Sequence, residues 1–398
     1  MESPDNFTHI KIVTPNIDES TGNEVMMSTV SGALIELLGD SNVEWINLYS
    51  ENPSRLERWI WTRIRENKLR ASRYARQEMR ELLGLAGIEL RRVLVSLAGE
   101  VAQPILRGSG LLTEGMHQSY IRLIERINSR SILFSTNFQA FEVSNEQLIF
   151  ICIGIDLCPE YKVGEASQRF RKNVHVITSC SRSGEGFRRI GVPDDRIHYI
   201  GLPISSRLAY VVELRMTRQK SEGGLGKVLV QLGGTGPEID VALTVISKLK
   251  NDGQEVIVLC GDHTETSIEF REKVLELGIP GENVYGGTSS ASRYDFLVKL
   301  NEVLHNPDIR TVVARPNQWS IMAGALGLRF IVLPGFQPFE ERAYYEIGAL
   351  YPNAVYWDRY FEQGRYAFYD WSNDHDLLYC IPDNLKNVIN DIHKVRKE

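Results

Sequence analysis

The sequence has few cysteines and no long apolar run. Its five cysteines, in 398 residues, show no Cys-x-x-Cys spacing, so neither a disulfide framework nor a zinc site is indicated. No segment approaches the ~18 apolar residues of a membrane-spanning helix, and the N-terminal "MESPDNFTHIKIV" lacks the basic start and apolar centre of a signal peptide. We therefore expect reduced thiols and a cytoplasmic protein, either free or peripheral on the inner face of the membrane.

The sequence also lacks a surplus of basic residues. Its formal net charge is −6, whereas proteins that bind the phosphate backbone of nucleic acids normally carry a positive excess. With 43% hydrophobic and 24% charged residues, the chain has the composition of a globular protein long enough for two domains. We expect no nucleic-acid partner, and the oligomeric state stays open.

The order of apolar runs predicts an α/β protein. Strand-like runs such as "HIKIVTP" and "LIFICIGIDL" alternate with segments of helical periodicity, and the alternation begins afresh after the polar, glycine-rich "TRQKSEGGLGK". We predict a Rossmann-like doubly wound domain over residues 1–216, a linker at 217–227, a second such domain over 228–380 and a C-terminal helix at 381–398. Two domains of this kind face a cleft at the carboxyl ends of their strands, where ligands bind.

A glycine-rich turn follows one buried strand, in "VLVQLGGTGPEID" at residues 228–240. The turn consists of Gly233, Gly234, Thr235 and Gly236, whose backbone another group can approach closely, and Pro237 suits the first turn of a helix. Because the amide groups at a helix start attract phosphate, this turn is a candidate phosphate site. A tight turn without a ligand explains the same residues.

A predicted helical insertion at residues 52–99 is unusually rich in arginine. Its arginines share the segment 55–92 with tryptophans and other apolar residues, a combination suited to an anionic membrane surface. Packing on the N-terminal domain, or an oligomer contact, accounts for the same composition.

Four segments resemble one family in the same order along the chain: "LIFICIGIDLCP", "RIGVPDDRIHYIGLPISSRL", "VLVQLGGTG" and "VARPNQWSIMAGALGLRFIVLPGFQPFEERAYYE". They resemble the GT-B glycosyltransferases related to lipid II synthase (undecaprenyl-PP-MurNAc-pentapeptide GlcNAc transferase) and to the diacylglycerol galactosyl and glucosyl synthases. The resemblance covers most of the chain outside residues 52–130. It implies a GT-B fold and inverting, metal-independent transfer of a sugar from a nucleotide-sugar donor, a UDP-sugar first, to an acceptor hydroxyl. It implies no cofactor, and the acceptor is lipid-linked or a small molecule.

Two positions depart from the family pattern. The family's first loop has glycines followed by histidine, whereas here the acceptor-side loop has Gly22 and Asn23, with Glu24 near the place of the histidine. Glu24 can accept a proton, although a first-turn glutamate also favours the helix dipole. Matched to the family's donor helix, Met322 replaces the glutamate expected on the ribose, and a thioether cannot accept those hydrogen bonds.

Candidate residues follow from what glycosyl transfer requires. A general base on the acceptor side is needed, and the candidates are Asp156, Glu24 and His117 with its neighbour Glu114. Asp156 follows a strand, where site residues collect, but a capping aspartate is the competing interpretation. For His117 the alternative is a surface pair with Glu114.

The donor-side candidates lie in the second half of the chain. Arg315 can neutralise the leaving diphosphate, or pair with a surface carboxylate. Other donor and phosphate candidates are Asn317, Gln318 and Ser320, and the sugar or ribose candidates are Gln337, Glu340 and Glu341. Asn317 and Ser320 are alternatively helix caps, and Trp319 is a packing residue or a base-stacking platform. Because no pair of carboxylates of the DxD type lies where a metal would be needed, we expect no metal.

Two further functions stay open for the same fold. One is a nucleotide-sugar hydrolase or epimerase, in which water or an enzymatic base replaces the acceptor hydroxyl, and the absent histidine favours it. The other is a non-catalytic or partner-dependent protein, favoured by Met322.

Overall fold

A computed structural model describes thirteen stretches of the chain, with gaps between them. They are residues 9–14, 21–47, 131–135, 149–154, 159–160, 174–222, 224–232, 238–261, 265–288, 293–316, 318–334, 354–356 and 379–397. The predicted insertion at 52–99 lies outside these residues, as does its arginine-rich part at 55–92.

The described residues contain eight α-helices. They are α1 (Thr21–Leu38), α2 (Ser181–Arg189), α3 (Ser206–Glu222), α4 (Ile239–Asn251), α5 (Glu265–Glu276), α6 (Arg293–Leu304), α7 (Gln318–Ala325) and α8 (Pro382–Lys397). None of these described helices is long and apolar enough to cross a membrane.

The described residues up to Ala209 and those from Tyr379 onward form the first of two compact units. This unit contains a six-stranded parallel sheet. Its strands are β1 (His9–Thr14), β2 (Val43–Asn47), β3 (Ser131–Ser135), β4 (Ile149–Gly154), β5 (Val174–Thr178) and β6 (Ile197–Tyr199). Their order is β2-β1-β3-β4-β5-β6, so the sheet is doubly wound. Every residue of β4 and β5 is buried, as in a central strand covered on both faces.

The second unit has another six-stranded parallel sheet. Its strands are β8 (Lys227–Gln231), β9 (Val256–Leu259), β10 (Val284–Tyr285), β11 (Ile309–Ala314), β12 (Arg329–Val332) and β13 (Ala354–Tyr356). The order is β10-β9-β8-β11-β12-β13. Helix α4 buries Ile239, Ala242, Val245 and Ile246 against this sheet, which is the apolar stripe of an amphipathic helix. The predicted α/β class with two Rossmann-like units is confirmed.

A third, two-stranded parallel sheet belongs to the first unit. It pairs β7 (Leu202–Pro203) with β14 (Tyr379–Cys380). Gly201 precedes β7 with a φ of 87°, and a Cβ there would meet the backbone of Tyr379 at 2.5 Å, so only glycine fits. The sequence instead placed residues up to 380 in the second domain, because no local pattern signals a pairing between strands so far apart in the chain.

The predicted linker at 217–227 also differs from the structure. Residues 217–222 form the end of α3, and β8 already begins at Lys227. The polar composition suggested a linker, but side chains of this segment are bound to the second unit: Gln219 donates to the carbonyl of Gly327, and Arg218 pairs with Asp308. The boundary between the two units falls between Ala209 and Tyr210, inside α3.

Candidate functional site

The topology of the second unit defines where a ligand can bind. Strand β8 is followed by β9 and β10 on one side, whereas β11, its other neighbour, is followed by β12 and β13 on the opposite side. The connections therefore leave the carboxyl ends of β8 and β11 in opposite directions. In open α/β sheets such a switch point creates the crevice in which ligands bind.

Gln231 and Trp319 connect the carboxyl end of β8 with α7. Gln231 is the last residue of β8 and is buried, and its Oε1 accepts a hydrogen bond from the indole Nε1 of Trp319. Trp319 is itself only 6% exposed. This bond orients the amide of Gln231, because the indole nitrogen can only donate. Trp319 thus has the packing role that the sequence offered as one of its two interpretations.

Arg315 and Glu238 connect the carboxyl end of β11 with the start of α4. Arg315 directly follows β11, and its Nε lies 3.2 Å from Oε1 of Glu238, the residue before α4. The side chain of Glu238 is fully buried, and that of Arg315 is 14% exposed. The N-terminus of α4 and the guanidinium both stabilise this buried carboxylate. From the sequence, the alternative to phosphate binding by Arg315 was an ion pair with a surface carboxylate. In the structure the carboxylate partner is buried.

Four side chains therefore converge on one edge of the sheet: Gln231, Glu238, Arg315 and Trp319. The cluster contains one cation and one anion, so its net charge is zero. It can offer N–H groups of arginine to an anionic ligand while Glu238 limits the excess positive charge. We call these residues the switch-point cluster.

Met322 does not line this edge. Its side chain is completely buried in α7, as are those of Ile321 and Ala325. Helix α7 is apolar on all its described faces apart from the indole of Trp319. The position at which the family's glutamate would contact ribose is therefore a core position in this protein.

Cys260 follows β9 at the same edge. Burial raises the pKa of its thiol to about 12, although the cationic Arg271 acts in the opposite direction. The thiol is protonated at neutral pH and is not an activated nucleophile.

Several predicted site residues are described by their backbone alone. Gly22, Asn23 and Glu24 lie in the first turn of α1, where α1 follows the carboxyl end of β1, and Gln318 and Ser320 lie at the start of α7. Both places are at the ligand-binding edges of their sheets. Their assigned roles stay predictions.

The remaining predicted site residues lie outside the described residues. They are Glu114, His117, Asp156, Gly233, Gly234, Thr235, Gly236, Asn317, Gln337, Glu340 and Glu341. Within the described stretches, no three His, Cys, Asp or Glu side chains are grouped to hold a metal ion. Metal-independent chemistry stays a prediction.

Sequence reasoning did not single out two members of the cluster, Gln231 and Glu238. A signal for Gln231 was present, since it is the one polar residue in "VLVQL" and the last residue of its strand. Glu238 follows Pro237, which was expected in the first turn of a helix, but the burial of Glu238 depends on Arg315, 77 positions later, and no local pattern predicts that pairing.

Comparisons with known proteins support this architecture. No family model matches the chain, and no curated protein matches it in sequence. Its fold is similar to that of UDP-GlcNAc 2-epimerase from Neisseria meningitidis bound to UDP-GlcNAc, with a TM-score of 0.50 and 12% identity over 97% of this chain and 99% of that one. A structure of MnaA with UDP from S. aureus aligns over 98% of each chain at a TM-score of 0.47 and 8% identity. At 12% identity the similarity to the Neisseria meningitidis structure shows the fold alone, which is of the GT-B type.

Proposed function

We propose that this protein is a nucleotide-sugar enzyme that binds the nucleotide at the switch-point cluster of its second unit. The observation that carries the proposal is the convergence of Gln231, Glu238, Arg315 and Trp319 at the carboxyl ends of β8 and β11. Ligands of doubly wound sheets bind at this kind of crevice.

The chemistry of the cluster suits a diphosphate. Arg315 offers its guanidinium at the edge of the sheet, and Glu238 fixes its direction through Nε. An arginine held in this way can bind phosphate oxygens with its terminal nitrogens. In the sequence, the predicted phosphate turn at residues 233–236 lies between Gln231 and Glu238.

A UDP-sugar is the proposed substrate, with UDP-N-acetylglucosamine as the first to be tested. The similar Neisseria meningitidis enzyme was crystallised with UDP-GlcNAc, and the family that the sequence resembles uses nucleotide-sugar donors. Met322 is buried, so we propose that groups outside α7, with Glu340 and Glu341 as candidates, bind the ribose hydroxyls.

The first candidate reaction is epimerisation or hydrolysis of the nucleotide sugar without an acceptor. The fold similarity to a 2-epimerase over nearly the whole length of both chains favours it, as does the absence of the family histidine. In this reaction Asp156, Glu24 and His117 are the candidates for proton transfer.

The second candidate is inverting glycosyl transfer to a lipid-linked or small acceptor. The ordered motifs of the resemblance favour it. For a lipid-linked acceptor, we propose that residues 55–92 contact an anionic membrane surface.

One experiment separates these possibilities. Purified protein is titrated with UDP, GDP and UDP-N-acetylglucosamine by calorimetry, and UDP-N-acetylglucosamine is then followed by proton NMR in D2O with no acceptor present. Epimerisation appears as a second nucleotide sugar with an inverted centre, hydrolysis as free sugar and UDP, and a transferase leaves the donor intact until an acceptor is added. Absence of binding by every nucleotide, in a folded sample, would overturn the proposal and favour a non-catalytic protein.

A further inference from the structure

Arg215 is a fully buried arginine that contacts backbone carbonyls of the second unit. It lies on α3 at 0% exposure. Its Nη1 donates to the carbonyl of Leu326 at 3.0 Å, and its Nη2 donates to those of Leu304 and Asn306, the latter at 3.1 Å. Burial lowers the pKa of the guanidinium to about 9, so it is still charged at neutral pH.

The acceptors of Arg215 belong to the C-terminal ends of two helices. Leu304 is the last residue of α6, and Leu326 follows the last residue of α7. Each helix C-terminus carries a partial charge of roughly −0.5, so the two together balance roughly one positive charge. This explains how an arginine with three backbone acceptors can be buried there, at a position where an isolated charge would be costly.

The backbone carbonyls at the C-terminal end of α7 need hydrogen-bond donors from outside the helix. Gly327 has a φ of 62° and donates to Gly324, while Leu328 donates to Ala323, which is the hydrogen-bond pattern of a Schellman motif. This motif leaves the last carbonyls of the helix without intrahelical partners. Arg215 binds the carbonyl of Leu326, and Gln219, one turn further along α3, donates from Nε2 to that of Gly327 at 2.7 Å.

Steric contacts make the same connection. A Cβ at Gly327 would lie 3.1 Å from Cγ1 of Val212 and 3.2 Å from Cγ of Met216. These residues and Arg215 share one face of α3. The face is therefore closely packed against the turn that ends α7.

We infer that Arg215 and Gln219 are positioning residues that fix the placement of α7 and, through Trp319, the geometry of the switch-point cluster. Helix α7 has only eight residues, about 12 Å, and its described side chains are buried. A short, packed helix moves as a unit, so release of its C-terminal end shifts Trp319 relative to Gln231. The effect on ligand affinity rests on the proposed function, whereas the placement of α7 does not.

The test uses the full chain with two graded variants. Arg215→Lys keeps the charge, but a single ammonium group cannot bridge both helix ends as the planar fork does. Gln219→Glu replaces an amide donor with a carboxylate that is repelled by the carbonyl of Gly327. The second is the milder change, since Gln219 is only partly buried, and it serves if Arg215→Lys does not fold.

The primary readout is 19F NMR of protein labelled with 5-fluorotryptophan. The sequence has six tryptophans, and Trp319→Phe identifies the resonance of Trp319. Arg218→Met is the matched control on α3, because Arg218 is partly exposed and pairs with Asp308 away from α7. Val274→Ala, in the core on α5, is the control for general loss of stability.

We expect Arg215→Lys and Gln219→Glu to displace or split the Trp319 resonance, while Arg218→Met and Val274→Ala leave it in place. If the wild type binds UDP, both variants should raise its dissociation constant by roughly tenfold. An unchanged Trp319 resonance in both variants, at a melting temperature lowered no more than by Val274→Ala, would overturn the inference. A displaced resonance in a protein that binds no nucleotide would leave the positioning role standing and reject the proposed function.

Discussion

The salt bridge between the guanidinium of Arg315 and the carboxylate of Glu238 connects the carboxyl end of β11 with the start of α4, with Nε 3.2 Å from Oε1. Because Glu238 is fully buried, it compensates the charge of Arg315 without being accessible to solvent. The pair lies at the switch point between the parallel strands β8 and β11, where the strand order of the sheet reverses. If an anion binds at this edge, its affinity should therefore depend on both partners.

If Arg315 binds a diphosphate, its replacement by methionine should weaken UDP binding by roughly tenfold, as expected for a hydrogen bond to a charged group. Glu238→Gln should have the opposite effect, because it removes the compensating negative charge. Calorimetry with UDP and uridine measures both, and the ratio of their affinities isolates the diphosphate. Arg310→Met is the control, because Arg310 lies near the amino end of β11, at the opposite end of the strand from Arg315. Equal changes for UDP and uridine would exclude a diphosphate contact.

The Trp319 to Gln231 hydrogen bond should contribute to stability. Trp319→Phe removes the indole donor and leaves the buried amide oxygen of Gln231 without this hydrogen bond. The free energy of unfolding should therefore fall by about 1–3 kcal/mol. Gln231→Leu combined with Trp319→Phe should cost less than the sum of the single changes, because the double variant contains no orphaned group. Urea unfolding of the four proteins completes the cycle. Strict additivity would show that the two side chains do not interact.

Stability should fall in acid because of His175 and His198. Nδ1 of His175 on β5 lies 3.1 Å from Nε2 of His198 on β6. Burial, followed by the charges of His198 and Arg196, lowers the pKa of His175 from 6.5 to about 3. Burial also lowers the pKa of His198, against the opposing effect of Asp391 and Asp195.

The direction of this pH dependence follows from which state of the protein, folded or unfolded, binds the proton. Between pH 6.5 and about 3 the unfolded chain protonates His175 and the folded protein does not, so stability is complete above pH 6.5 and decreases as the pH falls. At pH 5 the loss from His175 alone should be about 2 kcal/mol. Urea unfolding at pH 8 and pH 5 measures it. His175→Gln should flatten this dependence.

Gly286 should tolerate alanine much less well than Gly253. Both have a positive φ, of 76° and 74°, so alanine at either position costs about 1–2 kcal/mol in backbone strain. At Gly253 nothing lies within 4 Å of the new Cβ, whereas at Gly286 the carbonyl oxygen of Gly261 lies 2.1 Å from it. Gly286→Ala should therefore cost about 1–3 kcal/mol more, measured by thermal unfolding. Equal losses would show that the turn after β10 relaxes freely.

Much of the fold was predictable because its signals are local. Buried strands such as β4 are continuous apolar runs, and α1 is directly followed by Gly39, whose φ of 82° suits glycine. The apolar residues of "IDVALTVISKLK" recur at helical spacing, and this segment forms most of α4. These features depend on residues close together in the sequence, so a pattern is enough to find them.

Other features were not predictable because partners distant in the chain decide them. The second half of α3 was interpreted as a linker from its polar composition, yet Gln219 binds the carbonyl of Gly327, 108 positions away. Strand β14 pairs with β7 rather than with the second unit. Arg215 is indistinguishable in sequence from a surface arginine, and only the meeting of two helix ends makes it a core residue.

The sequence by itself determined the α/β alternation and two units with parallel sheets, since apolar periodicity and turn residues act over a few neighbours. Tertiary structure alone decided that Glu238 compensates Arg315, that Trp319 orients Gln231 and that Met322 belongs to the core. The physical reason is that burial and electrostatic pairing depend on which residues meet in space, and strand order sets those meetings.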